Sequence, residues 1–482
     1  MTTLLTLVLI LLALLGTPLF VVMFFATMLL YSQAGIDPIN IFVVMGDLLE
    51  KPYLLPIPLF TLAGFLLAES GAPKRVVRFA EALFGWIPGG LAVLSVSTCA
   101  FLTTFTGASG VTIIAVGGIL LPLLRERSYP EGFSLGLITS AGSLGILFFP
   151  ALPIFVYVTV YSLATEGIAP LSPLRVFLAG LFPGMLMLGM FMLYCVMKGV
   201  RLGIPRKPFD LKEVWLSFRA AFWELVLPIG LTLALRSGSI GLSEIATATV
   251  VYIMVIEIVV YRGLDPVRDL PRVTVEGMQL VGAIAVILAV VLGYNNYLID
   301  QEVPQAVLAW IKQYVSSPLL FLLGLNGFLL IVGCLMDIFS AMVAVLPLII
   351  PLAWSYGIAP EHLAIVFLAN LEIGYVTPPV GMNLFISSLH FKKSVLAICR
   401  NVLPFIAILG IALMVITYVP SLSTWLPEVV DGKAPARTVH AEPSGESGQE
   451  PSLDVFGDHD EIDDLLEELG YELDEQSREG AP

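Results

Sequence analysis

The ten residues from Gly374 to Asn383, GYVTPPVGMN, set two adjacent prolines between two glycines inside an apolar run. Pro378 and Pro379 donate no backbone hydrogen bond and clash with the preceding turn, so a helix entering this stretch is interrupted. Carbonyls near Gly374 to Thr377 then lose their helical partners. In hydrocarbon each orphaned group costs on the order of several kcal/mol unless protein, water or an ion covers it, and such breaks at membrane depth point to transporter binding sites. Two carboxylates lie in the same apolar surroundings. Asp337, in GCLMD, is a candidate for an ion site or a gate, with capping of a hairpin tip as the structural alternative. Glu372, two residues before the break, offers a proton site or faces a partner subunit. Asn383, just beyond the break, offers an amide to a substrate carboxylate or to a freed carbonyl. His362 and His390, near helix ends, read as interfacial residues and not as ligands.

A second copy of the break gives the first its weight. Displacing the chain by 229 residues brings Gly145 onto Gly374, Pro150 onto Pro379, Pro122 onto Pro351 and Ala115 onto Ala344. Gly145 to Pro153 (GILFFPALP) is thus the first-half partner of GYVTPPVGM, and paired interruptions in two halves are the pattern of an internally duplicated carrier.

The 482 residues are 57% hydrophobic and 13% charged, an integral-membrane composition. Apolar runs recur from Leu4 to about Pro420, so a single secretory signal does not explain them. The net charge of -14 is concentrated in the segment Asp431 to Pro482. Cys99, Cys195, Cys334 and Cys399 are scattered through apolar segments and read as reduced, buried residues. There is no GxSxG or HExxH motif and no basic, aromatic-interleaved patch, which speaks against an enzyme and against nucleic-acid binding.

The elements that must position these residues follow from the apolar spacing. Residues 1–88 read as N-terminal scaffold helices, with Leu4 to Tyr31 either one kinked span or a short pair. An amphipathic interfacial helix from Pro73 to Trp86 carries Lys74, Arg75 and Arg78 on its polar side. Residues 89–165 form a first transport half: a re-entrant hairpin from Gly90 to Leu124 with its tip in TTFTGASG, then the first broken helix. Residues 166–316 return to scaffold and end in a second interfacial helix, Val303 to Tyr314. Residues 317–392 form the second half, a hairpin around Gly333 to Asp337 followed by the second broken helix, and 393–430 hold the last span. Residues 431–482 read as an acidic, largely disordered tail with a short amphipathic stretch, EIDDLLEELGYELDE. The basic loops fall on one side in this threading, which makes that side cytoplasmic, inverts the two halves and sends the tail outside. The expected class is an all-α, inverted-repeat, elevator-type carrier.

Three stretches resemble the large membrane subunit of TRAP transporters, the DctM-like family: Pro56 to Ala92, Gly333 to Ala353 (GCLMDIFSAMVAVLPLIIPLA) and Asn370 to Phe385 (NLEIGYVTPPVGMNLF). The resemblance covers Met1 to about Pro427, and TPPVGMNLF is its most specific part. It implies sodium-driven import of an organic anion, usually a carboxylate, by an elevator in a bacterial inner membrane. It also implies a small four-helix, DctQ-like membrane subunit and a periplasmic substrate-binding protein, with sodium ions for coupling and no other cofactor. Carried over, one sodium site would use Thr103, Thr106, Gly145, Phe148 and Pro150, and a second Gly333, Gly374, Thr377 and Val380. Substrate or gating candidates are Asp337, Pro378, Pro379 and Asn383. The family favours Ser-Gly-Ser at the first hairpin tip and a double proline in the first break, whereas this chain has Thr106, Gly107, Ala108 and Phe149-Pro150. The alternative is a proton-coupled anion carrier using Asp337 or Glu372.

Overall fold

The computed structural model describes residues 19–431 except 38, 48–53, 166–170, 205–207, 238–239 and 316, together with residues 8, 11, 12 and 17. The first half of the expected N-terminal span therefore lies largely outside the described residues. The acidic tail beyond Asp431 lies outside them as well.

Among the described residues every regular element is helical. The N-terminal scaffold comprises α1 (Leu19–Ala34), α2 (Ile39–Asp47), α3 (Pro56–Glu69) and the amphipathic α4 (Ala72–Phe84). The first hairpin is α5 (Gly90–Thr106) and α6 (Ser109–Glu126), and the first broken helix is α7 (Glu131–Ala141) and α8 (Leu152–Ala164). The middle of the chain comprises α9 (Pro173–Arg201), α10 (Leu211–Ala220), α11 (Phe222–Ser237), α12 (Leu242–Met254), α13 (Asp269–Asp300) and α14 (Val303–Tyr314). The second hairpin is α15 (Pro318–Leu335) and α16 (Ile338–Ser355), the second broken helix α17 (Pro360–Gly374) and α18 (Met382–Phe391), and α19 (Val395–Tyr418) and α20 (Ser421–Val430) follow. Seven of the described helices are long and apolar enough to cross a membrane, or eight if the bent pair α10 and α11 is one span.

Local chemistry sets the helix starts. Ser172, Asp210, Ser317, Asp337 and Ser394 each cap a helix through the side chain. Proline opens α3, α9, α15 and α17, where its missing amide costs nothing. Aromatic pairs stack within a mainly aliphatic core: Phe60 on Phe155 with centroids 4.8 Å apart, and Phe191 on Phe405 at 4.9 Å.

Three features go beyond the sequence reading. The short helix α10, which Asp210 caps at its start, meets α11 at 65°. The span after it ends in a π-helical turn, Val255–Val260, that turns Glu257 inward. Arg75 does not lie on a solvated face of α4. Its guanidinium pairs with Glu224 and Glu257, whose side chains are 1% and 0% exposed, and lies 3.8 Å from the ring centroid of Tyr261.

Candidate functional site

The two halves are assembled by the same crossing, used twice. Gly145, in the turn between α7 and α8, lies so close to the first hairpin that a Cβ on it would come within 2.5 Å of the Thr104 amide nitrogen and 2.2 Å of the Ala100 carbonyl. The residue 229 positions after Thr104 is Gly333, and a Cβ on Gly374 would come within 2.6 Å of the Gly333 Cα and backbone carbon. Only hydrogen fits between the crossing backbones. The breaks also share their geometry, since Phe149-Pro150 and Pro378-Pro379, again 229 residues apart, are both cis. Ser143 and Glu372 are likewise equivalents, and the Ser143 hydroxyl lies 3.4 Å from the Glu372 carbonyl. A contact between equivalent residues places the pseudo-symmetry axis there, between the two broken helices.

At the first break the carbonyls pair in short, three-residue steps: Phe148 N–H donates to Gly145 at 3.1 Å and Ala151 N–H to Phe148 at 2.9 Å. Beside them is a buried cluster of hydroxyls. Thr103 donates to the Gly142 carbonyl at 2.6 Å and pairs with the Thr112 hydroxyl at 2.8 Å, and Thr106 lies 3.3 Å from Thr112. Thr104 lies 3.2 Å from the Gly145 carbonyl. Of the first-site residues, Thr103, Thr106 and Gly145 are thus brought together. Pro150 is buried in the break, while Phe148 turns its ring toward α9 at Gly184 and leaves only its main chain to the site. Thr104 and Thr112 complete the cluster and were missed; the internal repeat, which aligns Thr104 with Gly333, is the signal that could have found the former.

At the second break the prolines free the Gly374 and Tyr375 carbonyls, which are recovered by Thr377 N–H at 3.0 Å and by Asn383 N–H at 3.0 Å. Gly381 N–H reaches across to the Cys334 carbonyl of the hairpin at 3.0 Å. Thr377 donates its hydroxyl to Ile373 at 2.8 Å, which leaves the oxygen lone pairs available. Gly333, Gly374 and Thr377 therefore converge, with Pro378 half-buried beside them and Pro379 and Val380 at the exposed edge. Carbonyl and hydroxyl oxygens without a charged ligand suit a small hard cation of low charge.

Asp337 is the N-cap of α16. It accepts from Phe339 N–H at 2.9 Å and Ser340 N–H at 3.0 Å and pairs with the Ser340 hydroxyl, while Ile338 N–H donates to the Tyr375 hydroxyl at 2.8 Å. Of the roles open to it in the sequence, the structure displays the cap. Asp337→Asn keeps the acceptor, so it should retain uptake, whereas Asp337→Ala should lower stability by about 1 kcal/mol. Thermal unfolding in detergent and uptake on the same preparations check this.

Asn383 joins the halves: its Oδ1 accepts from Ser109 at the first hairpin tip at 2.7 Å, and Thr139 and Ser387 pair at 2.8 Å alongside. His362 is buried within the chain. It is 1% exposed and clasped by the Ser423 hydroxyl at 2.7 Å and the Thr417 carbonyl at 3.2 Å. His390 is exposed near the end of α18. Glu372 is wholly buried, which removes the reading that it faces another subunit.

The sequence profile of the tripartite ATP-independent periplasmic transporter, DctM component, matches residues 6–422. The chain is 33% identical over 404 residues to the C4-dicarboxylate TRAP transporter large permease protein DctM of Pseudomonas aeruginosa, covering 83% of this chain and 92% of that one. It is 29% identical over 371 residues to the isethionate TRAP transporter permease protein DctMQ of Oleidesulfovibrio alaskensis, covering 77% and 57%. The crystal structure of the Alcanivorax borkumensis YdaH transporter, described as having an unusual topology, superposes with a TM-score of 0.59 over 80% of this chain and 89% of that one. At 13% identity that likeness is one of fold.

Proposed function

Because the chain belongs to the DctM component family of tripartite ATP-independent periplasmic transporters, a family of inner-membrane transport permeases and not of enzymes, we propose that it imports a small organic anion by sodium symport. The observation that carries the reading is the duplicated crossing, in which Gly145 with Thr103 and Thr104, and Gly374 with Gly333 and Thr377, gather neutral oxygens at the two breaks. Neutral oxygens bind sodium without burying a fixed charge. Each hairpin and its broken helix then form a moving unit, and α3, α9, α12 and α13 form the frame against which they slide.

The relatives named for a C4-dicarboxylate and for isethionate support a small anion as cargo. The DctMQ relative, whose length this chain covers by 57%, supports a second membrane component of the DctQ kind. A periplasmic binding protein completes the assembly and does much of the selecting. Thermal-shift screening of that protein against small carboxylates and sulfonates identifies the cargo.

The two sodium sites differ in a testable way. Thr377→Val removes a hydroxyl oxygen directly at the double-proline break and is expected to raise half-saturating sodium about tenfold, which corresponds to ~1.4 kcal/mol. Thr103→Val should shift it less, since the Thr103 hydroxyl is already engaged with Gly142 and Thr112. Uptake measured against sodium concentration decides the order; a larger shift for Thr103→Val reverses the assignment.

A further inference from the structure

We propose that α10, with the aromatic residues at its two ends, forms a binding surface for the headgroups of anionic phospholipid at the edge of the membrane.

One side of the helix is committed to the protein. Ser217 is buried, Glu213 is engaged by Arg78 of α4 at 2.9 Å, and the Phe218 ring centroid lies 5.9 Å from that of Phe79. The other side holds Leu211, Lys212, Trp215, Leu216 and Arg219, all exposed, with Leu211 at 71% and Trp215 at 61%. Spacings of four put Leu211, Trp215 and Arg219 in one row and Lys212 and Leu216 in the next, so the five share a face.

That face suits neither water nor hydrocarbon. Contiguous bulky apolar side chains turned outward mark a contact surface, and cations among them are expensive in lipid tails. The headgroup boundary accepts both, because the rings and branched chains sink toward the acyl region while Lys and Arg reach back to the phosphates. The surroundings of α10 belong to that boundary. Trp223, in the first turn of α11, is exposed and packs against Tyr252 of α12, whose hydroxyl donates to the Trp223 carbonyl at 2.9 Å. Before α10, the exposed Trp86 and Phe209 meet edge to face with centroids 6.2 Å apart. Tryptophan and tyrosine gathered around one short helix are the signature of the lipid–water interface.

Charge selects the lipid. Glu213 is taken by Arg78, the Asp210 side chain accepts from the Lys212 amide, and among the described residues no carboxylate pairs with Lys212 or Arg219. Lys74, one turn before Arg78 on α4, is exposed and likewise has no carboxylate partner among the described residues. In the threading above these cations fall on the cytoplasmic side, where the leaflet carries negative charge. A zwitterionic headgroup brings its own ammonium beside the phosphate, whereas an anionic one leaves the phosphate to these side chains. Each unpaired cation then favours anionic lipid by about fivefold.

The test places the purified chain in phosphatidylcholine vesicles in which a fixed fraction of the lipid is brominated, in one series as phosphatidylglycerol and in the other as phosphatidylcholine. Fluorescence quenching at Trp215 is read as the difference between the native protein and Trp215→Phe. Both series are expected to quench Trp215, with a relative association constant at least about fivefold higher for phosphatidylglycerol. In the double variant Lys212→Gln, Arg219→Gln the quenching should persist and the preference should fall toward equality. Equal quenching of the native protein by the two lipids overturns the proposal, as does a preference that survives intact in the double variant. Absence of quenching by either lipid overturns it too, and so does quenching that disappears when the small membrane subunit is purified with the chain, which gives the face to that protein. Should the double variant fail to fold, salt raised from about 0.1 M to about 1 M on the native protein decides, because exposed charges are then screened; a preference unchanged by salt overturns the proposal.

Discussion

Gly374→Ala is expected to reduce uptake about a hundredfold, the size of effect that a displacement of about 1 Å at a positioning residue produces. The added Cβ would lie 2.6 Å from the Gly333 Cα and backbone carbon, and neither can rotate away as a side chain would. The crossing has to open, and the carbonyls of Gly374 and Gly333 move apart. Gly145→Ala should do the same in the first half, where the nearest atoms are the Ala100 carbonyl oxygen and the Thr104 amide nitrogen. Gly324→Ala is the control, because it lies on the same helix as Gly333 with nothing within 4 Å of the new Cβ. That change should be silent or slightly stabilising, by about 0.5–1 kcal/mol, as for other helical glycines. Uptake and unfolding temperature measured on all three variants separate a lost crossing from a general intolerance of alanine.

Arg75→Ala is expected to cost about 3–5 kcal/mol of stability, because it strands two buried carboxylates at once. Glu224 comes from α11 and Glu257 from the π-helical turn after α12, and both reach the guanidinium on α4. The cluster fixes the amphipathic helix to the scaffold. Charge, and not shape, dominates this cost, so Glu224→Gln combined with Glu257→Gln in the Arg75→Ala background should recover most of it. Unfolding in detergent compares the single and triple variants; no recovery in the triple variant would mean that the contact of Arg75 with the Tyr261 ring matters more than its pairing with the two acids.

The breaks were legible because proline and glycine act on the backbone directly, whatever surrounds them. Pro150, Pro378 and Pro379 fall where the helices stop, and the hairpin tips turn at Gly107 to Ala108 and after Leu335, inside the stretches expected for them. The helix at Val303 to Tyr314 was legible for a similar reason, since its pattern is local. Partners distant in sequence were not. Arg75 reads as a polar-face residue until α11 and the π-turn, roughly 150 and 180 positions later, supply its acids. Asp337 reads as a lone intramembrane charge until the amides of Phe339 and Ser340 are seen to point at it. Thr112 joins Thr103 only because the hairpin folds back, and His362 is buried only because α19 and α20 close over it. Periodicity and composition carry no information about such pairings.

The central claim is that sodium drives this chain and that it works as one part of three. The most direct measurement reconstitutes it in liposomes with its small membrane subunit and its binding protein loaded with the identified anion, and imposes a sodium gradient or a proton gradient separately. Uptake should follow the inward sodium gradient and stop when either companion is left out. Uptake driven by a proton gradient in sodium-free medium, or undiminished without the binding protein, would contradict the account.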